Sequence, residues 1–141
     1  MKDSLRAGIT HTFRFPVDAS KTVPALFPEA TEFKVMPEVL ATGFMVGFVE
    51  WACIQAVNPH IDWPNEQTVG VHVNLSHLAA TPPGMEIQAE VALTEVTGRK
   101  LIFDVSVRDD VDLICTGTHE RFVIDAAKFK QKLARKSAGL K

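Results

Sequence analysis

The chain has little of what marks secreted, metal-binding or nucleic-acid-binding proteins. Its two cysteines, Cys53 and Cys115, lie in apolar helix and strand patterns, which indicates reduced core residues rather than a disulfide framework. Cysteines and histidines show no metal-ligand spacing, so we predict no metal site. Fifteen Lys and Arg against 17 Asp and Glu give a net charge of -2, which favours no polyanionic partner such as a nucleic acid.

Long uninterrupted apolar runs are also missing. Residues 1–8 lack the apolar core of a signal peptide, and the most apolar run, residues 39–57, is broken by Glu50 and by two glycines. We therefore expect no membrane span and predict a cytoplasmic protein. The basic residues after Arg121 cluster on a predicted terminal helix, where a solvated surface is a better interpretation than a membrane or nucleic-acid contact.

What the chain does have is the composition of a single globular domain over residues 1–141, with 46% hydrophobic and 23% charged residues. Alternation of apolar and polar residues predicts five β-strands, at residues 9–17, 69–77, 85–97, 101–107 and 111–124. One face of the second strand is predicted to carry Val69, Val71, Val73, Leu75 and His77.

Capping residues and prolines predict three helices. The first is a short helix after Thr22 that ends at Pro28, within a lid of about residues 20–37. The second is a long helix from about residue 38 or 42 to Val57. The third is a C-terminal helix at about residues 125–137, capped by Asp125.

These elements predict an α+β fold in which an antiparallel five-stranded sheet wraps around the long helix. A helix that is apolar on nearly every side is fully buried only if something surrounds it, and this is the hot-dog arrangement. One curled sheet covers only part of the helix, so we expect a homodimer or a dimer of dimers. Gly43 and Gly47 allow either close backbone approach or room for large core neighbours.

Glu50 is the most unusual residue, because it places a carboxylate within the most apolar segment. An unpaired charge there would cost several kcal/mol in desolvation, and apolar surroundings make a carboxylate a better base. The structural alternative is an ion pair with Arg121 or Arg14.

Three separated segments carry a family resemblance: residues 41–53 (ATGFMVGFVEWAC), 77–84 (HLAATPPG) and 117–124 (GTHERFVI). Together they resemble the fluoroacetyl-CoA thioesterase family of hot-dog proteins, in the same order and over nearly the whole chain. Three motifs with matching spacing are far more specific than one short pattern. The resemblance implies hydrolysis of a small acyl-CoA thioester, in which coenzyme A is part of the substrate and no cofactor is needed.

The resemblance implies Thr42, Glu50 and His77 as the catalytic set. It also places Gly70 and Arg121 near the acyl group. Each has a structural alternative: Thr42 as a helix N-cap, His77 as a core residue, Gly70 as a strand irregularity, and Arg121 as the partner of a carboxylate. His119, in the third motif, is better explained by packing than by function.

The segment from residue 23 to residue 36 resembles the hydrophobic lid of the family, through Val23, Leu26 and Phe33. Met36 stands where the family pattern has a second phenylalanine. Because methionine is flexible where an aromatic ring is rigid, we expect weaker selectivity for a fluorinated acyl group.

A continuous helix would separate Thr42 from Glu50 by roughly 12 Å along its axis and by about 80° around it. The two then cannot be direct hydrogen-bond partners within one subunit. Either the helix begins after Thr42, or the two act on opposite ends of the substrate group, or the site forms between two subunits, which we favour.

A hot-dog hydratase or dehydratase and a non-catalytic acyl-CoA-binding module remain as competing functions.

Overall fold

The structure is a computed structural model, and it describes residues 1–140. The strands are β1 (Thr10–Pro16), β2 (Glu66–His77), β3 (Glu86–Thr97), β4 (Lys100–Arg108) and β5 (Leu113–Asp125). The helices are α1 (Thr31–Lys34), α2 (Thr42–Val57) and α3 (Ala126–Ser137), with single 3-10 turns at Ala19–Lys21, Val23–Ala25 and Asn58–His60.

All five strands form one antiparallel sheet in the order β1-β3-β4-β5-β2, so β1 and β2 are its edges. On β4, and on β3 up to Leu93, every second residue is buried, as the sequence alternation predicts. Their buried side chains and those of α2 form the core. The predicted fold, an antiparallel five-stranded sheet around a long central helix with a short lid helix and a C-terminal helix, is confirmed.

Helix α2 packs against the sheet on one side only. Met45, Phe48, Val49 and Cys53 are buried, whereas Gly43, Gly47 and Trp51 are exposed and Glu50 is half-buried. The exposed residues recur at helical spacing and form an uncovered stripe. The sheet of a single protomer therefore covers only part of the helix, as expected from the sequence.

Strand β2 departs from the predicted alternation because of a bulge between Gly70 and His72, which shifts its register against β5. Before the bulge Val69 pairs with the exposed Phe122, and after it Val73 pairs with the buried His119. Residues opposite each other in a sheet share a face. Val69 and Val73 therefore lie on opposite faces, and the prediction that one face carries all five residues from Val69 to His77 is wrong.

Strand ends also differ from prediction. β2 begins at Glu66, and β5 begins only at Leu113. The late start has a local cause, because the Asp109 carboxylate accepts hydrogen bonds from the backbone N–H groups of Val111 and Asp112, at 2.8 and 2.6 Å. This turn keeps Val111 out of the strand.

The lid is a loop held together at its base. Val23 N–H donates to Val39 O and Ala41 N–H donates to Lys21 O, both at 3.0 Å. The predicted helix after Thr22 is only a 3-10 turn, and the α-helical turn α1 lies later, in a segment without sequence periodicity. Stacking of Phe27 on Phe33, with ring centroids 6.1 Å apart, connects the two parts.

Helix α3 begins where the sequence predicts, because the Asp125 carboxylate accepts a hydrogen bond of 3.1 Å from Lys128 N–H. From Lys130 to Leu140 every residue is exposed. Within residues 1–140, no helix combines the length and apolar character needed to cross a membrane.

Candidate active site

The first residue of α2 meets the last residue of β2. Thr42 Oγ1 lies 2.8 Å from His77 Nδ1, which is a hydrogen bond between two residues of the expected catalytic set. The N-cap of α2 is Ala41, so the prediction that Thr42 caps the helix is wrong. The Thr42 hydroxyl is therefore directed at the imidazole and not at the helix backbone.

The environment of His77 keeps its ring neutral at neutral pH. Burial lowers the pKa of His77 below its ordinary value of 6.5, and the backbone of Ala79 opposes this change. Its Nε2 atom is buried without a hydrogen-bond partner. In the Nε2-protonated tautomer, Nδ1 can accept the proton of the Thr42 hydroxyl, as a general base does.

Glu50 lies in a different environment from the one expected. Arg121 Nη1 donates a hydrogen bond of 2.8 Å to Glu50 Oε2, and the Glu50 side chain is 37% exposed. The expectation of apolar surroundings for Glu50 is thus wrong, and the alternative of an ion pair with Arg121 is observed. Arg14 instead donates to Gln88 Oε1, at 2.8 Å.

Arg121 is itself buried and firmly held, with 3% of its surface exposed. Its Nε donates to Thr68 Oγ1 and its Nη2 donates to Thr68 O, both at 2.8 Å. Its Nη1 lies 3.1 Å from His119 Nε2. Hydrogen bonds on several sides fix the plane of the guanidinium, and with it the direction of the bond to Glu50.

Gly70 stands where a side chain would displace the Glu50 carboxylate. A Cβ atom at Gly70 would lie 2.7 Å from Glu50 Oε2 and 3.3 Å from His119 Cε1. The absence of a side chain allows the Glu50 carboxylate to approach the β2 backbone. The structure also bears out the strand irregularity considered for Gly70, because the bulge begins there.

The sequence does not predict Thr68 as a partner of Arg121, and its pattern favours packing for His119. One signal could have shown the importance of His119: Gly117, His119 and Arg121 are spaced by two on one strand, so they share the inner face of β5. Thr68 pairs with Val123 on the same face, and no sequence pattern separates it from other strand threonines.

The expected site residues form two separate groups within one protomer. One is the Thr42–His77 pair, and the other is Glu50 with Arg121 and Gly70. Thr42 is the first residue of α2, which is continuous to Val57, so the axial separation of roughly 12 Å between Thr42 and Glu50 holds. The alternative that the helix begins after Thr42 is wrong.

The lid contacts α2 next to Thr42. Leu26 Cδ2 lies 3.3 Å from the position that a Cβ atom would take at Gly43, so this glycine makes room for the lid. Val23, Leu26 and Phe33 are half-buried, whereas Met36 is 49% exposed. Three of the four expected lid residues are thus packed in this structure, and Met36 is not.

The two cysteines are buried and unpaired, as predicted. Burial raises the pKa of Cys53 to about 12 and that of Cys115 to about 11. Both thiols stay protonated at neutral pH, which excludes them as ready nucleophiles. In the part of the chain that the structure describes, no group of three or more His, Cys, Asp or Glu residues could hold a metal ion.

Comparisons with known proteins agree with this arrangement. A family model described as fluoroacetyl-CoA-specific thioesterase (FlK) matches residues 18–127. The fluoroacetyl-CoA thioesterase of Streptantibioticus cattleyicolor is 47% identical over 137 residues, which cover 97% of this chain and 98% of that protein.

Solved structures of fluoroacetyl-CoA thioesterase are also similar to this chain. A structure of the fluoroacetyl-CoA thioesterase FlK has a TM-score of 0.91 and 46% identity, covering 95% of this chain and 98% of the other. A thioesterase-superfamily protein from Thermus thermophilus has a TM-score of 0.84 at 24% identity, covering 96% of each chain, and shares the fold.

A curled five-stranded sheet around one helix, with a hydroxyl and an imidazole paired at the start of that helix, defines a hot-dog thioesterase and hence a thioester hydrolase. Within this class, the chain belongs to the fluoroacetyl-CoA-specific thioesterase family.

Proposed function

We propose that this protein hydrolyses a short-chain acyl-CoA, with fluoroacetyl-CoA as the first candidate, to the free acid and coenzyme A. The observation that carries the proposal is the 2.8 Å hydrogen bond between Thr42 Oγ1 and His77 Nδ1. A hydroxyl next to a neutral imidazole can orient or deprotonate the attacking group. The name of the Streptantibioticus cattleyicolor relative supports the candidate substrate.

Glu50 supplies the reactive carboxylate in this proposal. Arg121 occupies Oε2, which leaves Oε1 for the reaction, and the partial exposure of Glu50 gives substrate access to it. Glu50 either takes a proton from the attacking water or attacks the thioester carbonyl itself. Coenzyme A leaves readily as a thiolate in both routes, so the reaction needs little acid assistance.

The acyl group is proposed to lie near Gly70 and Arg121, under a lid formed by Val23, Leu26, Phe33 and Met36. Leu26 supports this placement because it contacts the start of α2 beside Thr42. Arg121 is fully committed to protein partners at Nε and Nη1, so its influence on the acyl group is exerted chiefly through Glu50.

The complete site is proposed to form between two protomers, in a homodimer or a dimer of dimers. The roughly 12 Å between Thr42 and Glu50 along α2 supports this, as does the uncovered stripe of Gly43, Gly47 and Trp51. Each site would then combine the Thr42–His77 pair of one chain with Glu50 of the other. We further propose that the enzyme acts in the cytoplasm without a metal or other cofactor.

The test is thiol release from a panel of fluoroacetyl-, acetyl- and propionyl-CoA. We expect turnover by the parent protein, and a loss of at least about 10²-fold in Glu50→Gln, because an amide keeps the size but cannot act as base or nucleophile. Glu90→Gln is the matched control, since Glu90 is exposed on β3. Unchanged turnover in Glu50→Gln would remove Glu50 from the mechanism.

The same panel separates the competing functions. Hydration of an enoyl-CoA without thiol release would indicate a hydratase, and binding of acyl-CoA without any turnover would indicate a binding module. Either outcome would contradict the thioesterase proposal.

A further inference from the structure

His119 is a fully buried histidine whose two ring nitrogens both have partners. Its surface exposure is 0%. Nδ1 lies 2.8 Å from the backbone oxygen of His72, and Nε2 lies 3.1 Å from Arg121 Nη1. Unlike His77, this ring forms no hydrogen bond with a hydroxyl group.

These two partners define the protonation state of the ring. A backbone carbonyl can only accept, so Nδ1 must carry a proton and donate it to His72 O. A guanidinium can only donate, so Nε2 must be without a proton and accept from Arg121. His119 therefore has to be neutral, in the Nδ1-protonated tautomer. Burial also lowers the pKa of His119 below its ordinary value, which agrees with a neutral ring.

The nitrogen that His119 contacts is the one that holds Glu50. Arg121 Nη1 donates to His119 Nε2 and to Glu50 Oε2, while Thr68 accepts from Nε and Nη2. Thr68 thus fixes one side of the guanidinium and His119 fixes the other. Without an acceptor at His119, one buried N–H of Nη1 would lose its partner, and the Nη1 end of the planar guanidinium would be held by Glu50 alone.

We infer that His119 is a positioning residue of the active site: its Nε2 lone pair orients Arg121 Nη1, and Arg121 thereby holds the Glu50 carboxylate at the backbone of Gly70. This inference rests on the proposed function, in which Glu50 reacts. It assigns a role to the middle residue of the Gly117-Thr-His-Glu-Arg121 segment that packing alone does not explain.

The test compares two substitutions that differ in reach. His119→Gln places an amide oxygen near the position of Nε2, so it can still accept from Arg121. His119→Asn reaches only to the position of Nδ1, so it keeps a donor for His72 O and lacks the acceptor for Arg121. We expect kcat for acyl-CoA hydrolysis to fall about tenfold or more in His119→Asn with a smaller change in KM, and His119→Gln to restore most of it.

A second comparison tests whether His119 acts through Arg121. In an Arg121→Lys background the shared nitrogen is gone, so adding His119→Asn should lower kcat by less than about twofold. Equal kcat per folded molecule in parent, His119→Asn and His119→Gln would overturn the inference and leave a packing role. Full additivity with Arg121→Lys would overturn it as well.

A measurement independent of activity separates this inference from the proposed function. Nitrogen NMR of the histidine rings should show His119 neutral, with a proton on Nδ1 and none on Nε2. A proton on Nε2 would overturn the inference even in an active enzyme. If the parent protein hydrolyses no acyl-CoA, the proposed function fails, and the ring tautomer still decides whether His119 orients Arg121.

Discussion

His77 and His119 show how neighbours decide what the same side chain can do. Burial lowers the pKa of both rings. His77 contacts the Thr42 hydroxyl, a group that can give up a proton, whereas His119 contacts a carbonyl and a guanidinium, which leave it one fixed tautomer. His77 is thus suited to proton transfer and His119 to holding a neighbour in place.

Stability should depend on pH through His119. Its folded-state pKa is lower than the ordinary 6.5, so the unfolded chain binds more protons, and the free energy of unfolding falls as pH decreases below about 6.5. Arg121, Glu50 and Glu120 are the charged groups that act on this ring. Urea unfolding at about pH 7.5 and about pH 5.5 should show a larger loss in the parent protein than in His119→Gln. An equal loss in the two would mean that folding does not lower the pKa of His119.

A side chain at Gly117 in β5 would meet the backbone of β2. Gly117 has φ +152°, and a Cβ atom there would lie 2.0 Å from Asn74 O, a backbone atom that cannot move independently. At Gly70 the nearest atom is instead the end of the Glu50 side chain. The same substitution should therefore have different consequences on the two strands.

We expect Gly117→Ala to lower the free energy of unfolding by about 3 kcal/mol or more, because the strands must separate to admit the methyl group. Gly70→Ala is the matched comparison. It should cost less stability but displace the Glu50 carboxylate and lower kcat. Chemical denaturation measures the stability of both variants, and thiol release measures their kcat. Similar stability losses in the two would contradict the prediction that a methyl group at Gly117 meets backbone and one at Gly70 meets only side-chain atoms.

The lid should determine selectivity, because it packs beside Thr42 through Leu26. With Met36 half-exposed, we expect the parent protein to distinguish fluoroacetyl-CoA from acetyl-CoA only weakly, by no more than the ~1–3 kcal/mol typical of one small substituent. Met36→Phe should raise the ratio of the two kcat/KM values. Val35→Phe is the control, since Val35 is 86% exposed. Strong exclusion of acetyl-CoA by the parent, unchanged in Met36→Phe, would place selectivity nearer Gly70 and Arg121.

Two of the surfaces that one protomer leaves without a partner lie close to the site residues. The outer edge of β2 pairs with no other strand in residues 1–140, and α2 exposes Gly43, Gly47 and Trp51. Open strand edges and apolar stripes are the surfaces through which identical subunits associate. Both surfaces lie beside the two groups of site residues, which makes assembly and catalysis parts of one proposal.

Mixing two inactive variants tests this proposal. Glu50→Gln and His77→Ala homodimers should each be nearly inactive. If every site takes Glu50 from one chain and His77 from the other, a mixed dimer regains one intact site, and random exchange should restore about a quarter of parental activity. No recovery after confirmed subunit exchange, or an active monomer by light scattering at assay concentration, would contradict the interfacial site.

Local signals in the sequence were enough to predict most of the fold. The alternation on β3 and β4, the stop at Asn58-Pro59 and the Asp125 cap depend on neighbouring residues alone. The bulge after Gly70 could not be predicted, because Val69, Val71 and Val73 are apolar in either register. For the site, the resemblance indicated Thr42 and His77, and the structure brings them together. The sequence could not show whether Arg14 or Arg121 pairs with Glu50, since such a contact depends on how distant segments pack.

The hydrogen bonds at the base of the lid separate the lid structurally from helix α2. Val23 with Val39, and Ala41 with Lys21, close the loop immediately before α2, so residues 24–38 can change in sequence or length without moving Thr42. A longer loop adds little closure entropy, because that cost grows only slowly with length. Related enzymes could therefore acquire new acyl preferences by replacing this one segment, while the hydrolytic residues and the sheet that carries them are inherited unchanged.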